Sequence, residues 1–131
     1  MEKPRGRILC VDDDEDSLEM MTSLLGTEGY EIVQAQGVAE GLDLAIADNF
    51  DLILTDFVLA DGTGIELCRM IRGTGVAAPI LFYSGMALKE DIEKAISAGA
   101  QGFLVKPTNF DELLKSVSRF VGDDRSPSVT N

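Results

Sequence analysis

Histidine is absent from this 131-residue sequence, and basic residues are scarce. The lack of histidine excludes imidazole as a metal ligand and leaves oxygen atoms as the main candidates. Only 11 Lys and Arg residues stand against 23 Asp and Glu residues, so the net charge is −12. This charge repels nucleic acid and anionic membranes, and no basic patch is set apart from the acidic residues. We therefore expect no direct binding to nucleic acid.

Cysteine and long apolar runs are also rare. The two cysteines, Cys10 and Cys68, each lie within an apolar pattern, so we expect buried free thiols in a reducing compartment and a cytoplasmic location. Residues 1–7 are short and polar, unlike a signal peptide, and no apolar run approaches membrane-spanning length. We expect a soluble protein without membrane contact, whose true N-terminus is Met1.

Short apolar runs alternate with helical patterns along the chain, which is typical of strand-helix units around a parallel sheet. The predicted strands cover residues 7–11, 31–35, 52–55, 80–83 and 103–105. The second of them alternates polar and apolar residues, as an edge strand does. Length and pattern together predict one domain over residues 1–122, followed by a polar tail or the start of a linker over residues 123–131.

Five helices are predicted from apolar residues at helical spacing. For four of them the residues expected on the buried face are Leu18, Met21 and Leu25; Val38, Leu42, Ala45 and Ile46; Leu88, Ile92, Ala95 and Ile96; and Phe110, Leu113, Leu114, Val117, Phe120 and Val121. Two pairs have the spacing of a capping box: Thr63 with Glu66 at the start of the third helix, and Thr108 with Asp111 at the start of the fifth.

Reactive side chains follow four of the five predicted strands. Asp12 and Asp13 follow the first strand, Asp56 the third, Ser84 the fourth and Lys106 the fifth. Right-handed crossovers place the carboxyl ends of parallel strands on one edge of the sheet, where ligands bind in open α/β folds. We expect these five residues to converge there.

The acidic run at residues 12–16 has a simpler explanation, which is that it favours the positive N-terminal end of the first helix. Three or more adjacent carboxylates exceed what capping needs, however. Two like charges about 4 Å apart cost each other about 4 kcal/mol at an effective dielectric constant of 20. A cluster that also includes Asp56 therefore favours a hard cation such as Mg2+.

The sequence resembles the receiver domain of two-component response regulators, including chemotaxis receivers. The resemblance is carried by Val11-Asp12-Asp13-Asp14, by the apolar strand that ends in Asp56, by Ser84, and by the segment AGAQGFLVKP at residues 98–107. It covers residues 7–121, nearly the whole chain. It implies a flavodoxin-like α/β fold, in which a five-stranded parallel sheet of order 2-1-3-4-5 is doubly wound by five helices.

The resemblance also implies a chemistry for Asp56. This residue would accept a phosphoryl group from the phosphohistidine of a histidine kinase or a histidine phosphotransfer protein. Mg2+ would be the cofactor, held by Asp12, Asp13, Asp56 and the backbone carbonyl of Val58. The chain would then be a phosphoacceptor that catalyses its own phosphotransfer and dephosphorylates slowly, and not an enzyme in the usual sense.

The resemblance also implies roles for other residues, according to their positions in the family pattern. Lys106 would pair with Asp56 and then with a phosphoryl oxygen, Ser84 would bond another oxygen, and Ser84 and Phe103 would form the conformational switch. The bond to Pro107 would be cis and would aim Lys106 into the site. The phosphate environment would be completed by Val58, Gly85 and Met86. The face of the fourth helix, fifth strand and fifth helix would then select a protein partner, an output domain or a second copy of the chain.

Three departures from the family pattern and several rival functions remain. The chain has Ala60 where the family usually has Pro, Ser84 where Thr is commoner, and Phe103 where Tyr is frequent. A haloacid-dehalogenase-like phosphatase would need an acid at Val58, and a flavodoxin-like carrier of FMN would not place acidic residues after the first strand. The chain could also be the receiver of a longer response regulator or hybrid histidine kinase, or a receiver-like module that is never phosphorylated.

Overall fold

The computed structural model of the protein describes residues 3–85, 88–106 and 109–122. Its elements alternate along the chain as the sequence pattern predicts. In order they are β1 (Arg7–Val11), α1 (Glu15–Thr27), β2 (Glu31–Ala35), α2 (Val38–Ala47), β3 (Leu52–Thr55), β4 (Val58–Leu59), β5 (Gly62–Thr63), α3 (Gly64–Gly73), β6 (Ile80–Ser84), α4 (Lys89–Ser97), β7 (Gly102–Val105) and α5 (Phe110–Val121).

Five of these strands form one parallel sheet of order β2-β1-β3-β6-β7. Because β6 and β7 are the fourth and fifth strands of this sheet, the predicted order 2-1-3-4-5 and the flavodoxin-like fold are confirmed. β2 lies at one edge, as its alternating pattern indicated. The other two strands, β4 and β5, form a small antiparallel hairpin directly after Asp56 that the sequence analysis did not predict.

The sheet separates two apolar layers, because successive residues of a strand point to opposite faces. Leu9, Ile53 and Phe82 pack on the face covered by α2, α3 and α4. Leu54 and Leu81 pack on the other face, covered by α1 and α5. All five of these side chains are fully buried or nearly so. The strands are therefore fixed from both sides, and their carboxyl ends form a rigid edge for the residues that follow them.

Several predicted helix positions are wrong. Ile46, Leu88, Ile96 and Phe110 were expected in the core but are 54%, 60%, 47% and 53% exposed. In α4 the buried residues are Asp91 and Ala95, so the predicted position of Ala95 is confirmed. Positions 88, 92 and 96 lie on a stripe of the helix next to the one that faces the sheet. The spacing of apolar residues could not show which of these two neighbouring stripes is buried, because α4 has only nine residues.

The two predicted caps have different outcomes. The capping box of α3 is present: the amide of Glu66 donates to Thr63 Oγ1 at 3.1 Å, and the amide of Thr63 donates to Glu66 Oε1 at 2.9 Å. At α5 the capping residue is Asn109, whose Oδ1 accepts from the amide of Glu112 at 2.7 Å. The predicted box from Thr108 to Asp111 is therefore wrong by one position, because the side chain of Asn109 already accepts from the amide of Glu112 in the first turn. Thr108 itself lies outside the described residues.

Both cysteines are buried free thiols, as predicted. Burial raises the pKa of Cys10 to about 12, and the nearby charge of Asp12 acts in the same direction. Among the described residues, no helix has the length and apolar character needed to cross a membrane. The predicted tail over residues 123–131 lies outside the described part of the chain, so the division at residue 122 stays a prediction.

Candidate functional site

Backbone hydrogen bonds continue the parallel ladder past the ends of the strands and fix the positions of the acidic and basic residues. The amide of Asp12 donates to the carbonyl of Ala35 at 3.0 Å, and that of Asp56 donates to the carbonyl of Val11 at 3.0 Å. The amide of Lys106 donates to the carbonyl of Ser84 at 2.8 Å. The sheet itself therefore brings the ends of β1, β3, β6 and β7 together.

Three carboxylates cluster at this edge. One oxygen each from Asp12, Asp13 and Asp56 lie within 4.8 Å of one another, with Asp12 buried, Asp56 half-buried and Asp13 exposed. Backbone amides hold two of the side chains, since Asp14 N donates to Asp12 Oδ1 at 2.9 Å and Phe57 N donates to Asp56 Oδ1 at 2.7 Å. A donor set made only of carboxylate oxygens suits a hard, oxygen-seeking cation, so the residues present fit Mg2+.

Lys106 extends into the same pocket. Its Nζ donates a hydrogen bond to Asp12 Oδ2 at 3.0 Å and lies 3.6 Å from Asp56 Oδ2. Burial disfavours the ammonium form, but the hydrogen bond to Asp12 and the charges of Asp12 and Asp56 outweigh it, so the pKa of Lys106 is raised above its ordinary value. The pocket thus holds a permanent positive charge beside the Asp56 carboxylate at neutral pH.

The other predicted residues lie around this pocket. Ser84 is the last residue of β6 and is 1% exposed, and Gly85 follows it on the surface. Val58, two residues after Asp56, is 52% exposed. Phe103 is half-buried in β7 and stacks on Phe82, with ring centroids 5.6 Å apart and ring planes 6° apart. Met86 and Pro107 lie outside the described residues, so the predictions made for them stay predictions.

The sequence analysis missed three residues at this edge. The ring of Tyr83 lies 5.2 Å from Lys106 Nζ, in cation–π range. The carboxylate of Asp61 accepts hydrogen bonds from the first turn of α2. Gly64 packs against the backbone of Asp56 with no room for a Cβ. The sequence did contain a signal for Tyr83. Leu104 pairs with Tyr83 in the sheet, and Lys106 comes two residues after Leu104, so the period of two along a strand places Lys106 and Tyr83 on the same face.

A parallel α/β domain of this strand order, with an acidic cluster, a lysine and a buried hydroxyl at its carboxyl edge, has the groups that a phosphoacceptor domain needs. The sequence matches the response regulator receiver domain family over residues 8–118. The chain belongs to that family.

Known relatives agree with this assignment. The nisin biosynthesis regulatory protein NisR of Lactococcus lactis subsp. lactis is 33% identical over 111 residues, which are 85% of this chain and 48% of NisR. The cell cycle response regulator CtrA of Brucella ovis is 33% identical over 115 residues, or 88% of this chain and 50% of CtrA. A CheY-like receiver domain structure from Methanospirillum hungatei JF-1 is 30% identical, with a TM-score of 0.85 over 92% of this chain and 95% of that one.

The chain spans about half the length of the curated relatives it matches. Receiver domains are phosphoacceptor switch domains of two-component systems, and as a family they work with histidine kinases and output domains. They bind Mg2+ at an acidic pocket, and Asp12, Asp13 and Asp56 form an acidic cluster in the described part of this chain.

Proposed function

We propose that this chain is a cytoplasmic phosphorylation switch in which Asp56 accepts a phosphoryl group from the phosphohistidine of a histidine kinase or histidine phosphotransfer protein. The observation that carries the proposal is the position of the Asp56 carboxylate. It lies within 4.8 Å of two other carboxylates and 3.6 Å from the ammonium group of Lys106. An anionic nucleophile and an anionic phosphoryl group repel each other, and this pocket offers the positive charge that offsets the repulsion.

Asp12, Asp13, Asp56 and the backbone carbonyl of Val58 would hold Mg2+. The bound ion supplies positive charge to the phosphoryl oxygens and to the attacking carboxylate. The half-buried setting of Asp56 strengthens this effect, because charges interact more strongly where water is partly excluded.

In the transfer itself, an oxygen of Asp56 attacks phosphorus and the bond between phosphorus and the histidine nitrogen breaks. The bonding electron pair stays on the histidine nitrogen, which takes a proton from solvent, so the histidine leaves as neutral imidazole and Asp56 becomes an acyl phosphate. Lys106 moves from its bond with Asp12 toward a phosphoryl oxygen, and the hydroxyl of Ser84 bonds another. Charge-assisted hydrogen bonds of this kind are about twice as strong as neutral ones.

These new bonds would drive the switch. As Ser84 is drawn toward the phosphoryl group, Phe103 turns inward, and the face formed by α4, β7 and α5 changes. That face carries exposed apolar side chains at Leu88, Ile96, Val105 and Phe110, which suits the binding of a protein partner, an output domain or a second copy of the chain. Amide shifts on beryllofluoride binding should extend over residues 84–106; shifts confined to the Asp56 loop would refute the switch.

Phosphorylation with acetyl phosphate tests the central assignment. Intact-protein mass spectrometry should show one phosphoryl group on the wild type in the presence of Mg2+ and none after its removal. The Asp56→Asn variant should show none under either condition. Asp43→Asn, which changes an exposed aspartate of α2, is the matched control and should be phosphorylated like the wild type. Continued Mg2+-dependent phosphorylation of Asp56→Asn would sink the assignment.

A further inference from the structure

Asp61 ties the hairpin that follows Asp56 to the N-terminus of α2. We propose that Asp61 is a positioning residue for the phosphoacceptor loop and that, through its bonds to α2, it holds the Val58 carbonyl in place for Mg2+. This inference rests on the proposed function, because it concerns the same metal and phosphoryl site.

The contact between Asp61 and α2 uses both carboxylate oxygens. Oδ1 accepts from the amide of Val38 at 2.6 Å, and Oδ2 accepts from the amide of Ala39 at 3.1 Å. These bonds lower the pKa of Asp61, so the carboxylate is charged at neutral pH, at the positive end of the helix. The residue at the N-cap position is Gly37, which has no side chain to cap its own helix. A Cβ there would lie 2.5 Å from Asp61 Oδ1, so the carboxylate occupies the space of the missing side chain.

The hairpin needs such an anchor because it is very short. Two residue pairs, Val58 with Thr63 and Leu59 with Gly62, make up its ladder, and an isolated two-stranded hairpin is marginal in water. Its base is held by the capping box at Thr63 and its first strand by the buried side chain of Leu59. The turn between the strands is residues 60 and 61, so the two bonds of Asp61 fix the end of the hairpin that is farthest from its base.

A second contact at the same end of α2 supplies a matched control. Glu40 Oε1 accepts a hydrogen bond from the amide of Gln36 at 2.9 Å. This bond stabilises the first turn of α2 from within the same segment, whereas the bonds of Asp61 join α2 to the loop. A loss that occurs with Asp61→Ala but not with Glu40→Ala therefore reports on the hairpin and not on the helix.

The test uses the full chain with Mg2+ as the probe, followed by amide NMR and hydrogen exchange. Asp61→Ala should weaken Mg2+ binding severalfold, because the hairpin that carries the Val58 carbonyl loses its anchor on α2. It should also speed exchange at Val38, Ala39 and residues 58–63. Asp61→Asn retains one acceptor oxygen and should fall in between. Glu40→Ala should keep Mg2+ affinity within about twofold of the wild type, because the loop is untouched.

Two outcomes would overturn the role of Asp61. In the first, Asp61→Ala binds Mg2+ like the wild type although Val38 and Ala39 lose protection, which would make the contact a helix cap and nothing more. In the second, Asp61→Ala and Glu40→Ala weaken Mg2+ binding equally. Failure of the proposed function is distinguishable from both, because there the wild type itself neither binds Mg2+ nor is phosphorylated at Asp56.

Discussion

Replacing Gly64 by alanine would test how tightly the phosphoacceptor loop is packed. Gly64 is the first residue of α3, and its amide donates to the carbonyl of Phe57 at 2.8 Å. An added Cβ would collide with the backbone carbonyl oxygen of Asp56 and lie 2.7 Å from Cε2 of Phe82, about 0.7 Å short of ordinary contact. Overpacking of this kind typically costs about 1–3 kcal/mol. Because one neighbour is backbone and the other a fully buried ring, we expect about 2–3 kcal/mol.

Urea unfolding followed by circular dichroism would measure this cost, and a thermal midpoint about 8–12 °C lower would accompany it. The rate of Mg2+-dependent phosphorylation should fall about 100-fold, because a displacement near 1 Å in a reacting group has an effect of that size. Gly73→Ala, at the other end of α3, is the control: a Cβ there meets no described atom within 4 Å. It should be neutral or slightly stabilising. A Gly64→Ala variant as stable and as reactive as Gly73→Ala would refute the reasoning.

Three further predictions follow from the site. Lys106→Ala should bind Mg2+ at least as tightly as the wild type by calorimetry, because the ammonium group 3.0 Å from Asp12 is no longer present to repel the cation; weaker binding would contradict a shared pocket. Tyr83→Leu should lower the pKa of Lys106, because it removes the cation–π contact between the ring and the ammonium group. Tyr83→Phe keeps the ring and is the control; the pKa would be measured by carbon NMR, and equal values in the two variants would show that the ring has no such role. Folding raises the pKa of Cys10 from 9.0 to about 12, so as the pH rises the unfolded chain loses the thiol proton before the folded chain does. The contribution of this thiol to the free energy of unfolding is therefore complete below pH 9 and falls by about 1 kcal/mol per pH unit above it. Cys10→Ala should therefore lose stability less steeply between pH 9 and 10.5, and an unchanged slope would contradict this origin.

The fold was predictable wherever burial alone determines the pattern. β3 and β6 are buried on both faces, so each is a continuous apolar run that ends at a polar residue. The strand order came from the family resemblance and not from the physics of the sequence. The buried face of α4 was predicted only in part. Ala95 is buried as expected, but Ile96 is 47% exposed, because the apolar pattern does not show which stripe of the helix faces the sheet.

The residues of the site also include some that could be predicted from the sequence and some that could not. Asp12, Asp56 and Lys106 could be placed together from sequence because each follows a parallel strand and topology brings strand ends to one edge. Asp61 and Tyr83 could not, since their contacts depend on side-chain directions and on a two-pair hairpin too short to leave a pattern in the sequence. The amides that Asp61 binds lie 22 and 23 residues earlier in the chain. Local spacing carries no information about such a contact, which the packing of α2 against the loop creates.

We expect the lifetime of the phosphorylated state to depend on residues that the shared motif leaves free to vary. The family resemblance predicts that Val58 and Met86 flank the path of the water that would hydrolyse an acyl phosphate on Asp56; Met86 lies outside the described residues. The side chain of Val58 is 52% exposed, and neither valine nor methionine can orient a water by hydrogen bonding. Because positioning a water is a large part of accelerating hydrolysis, we expect slow self-dephosphorylation.

Two variants separate occlusion of this water from its orientation. Val58→Ala opens the path without adding a polar group, and a modestly faster decay would measure the effect of occlusion alone. The double variant Val58→Asn with Met86→Glu adds groups that can bond the water, and should speed the decay by about tenfold or more at fixed Mg2+ concentration. Loss of the phosphoryl group would be followed by intact-protein mass spectrometry. An unchanged or slower decay in the double variant would mean that these positions do not control the attacking water, and that the lifetime is set by the charges around Asp56 instead.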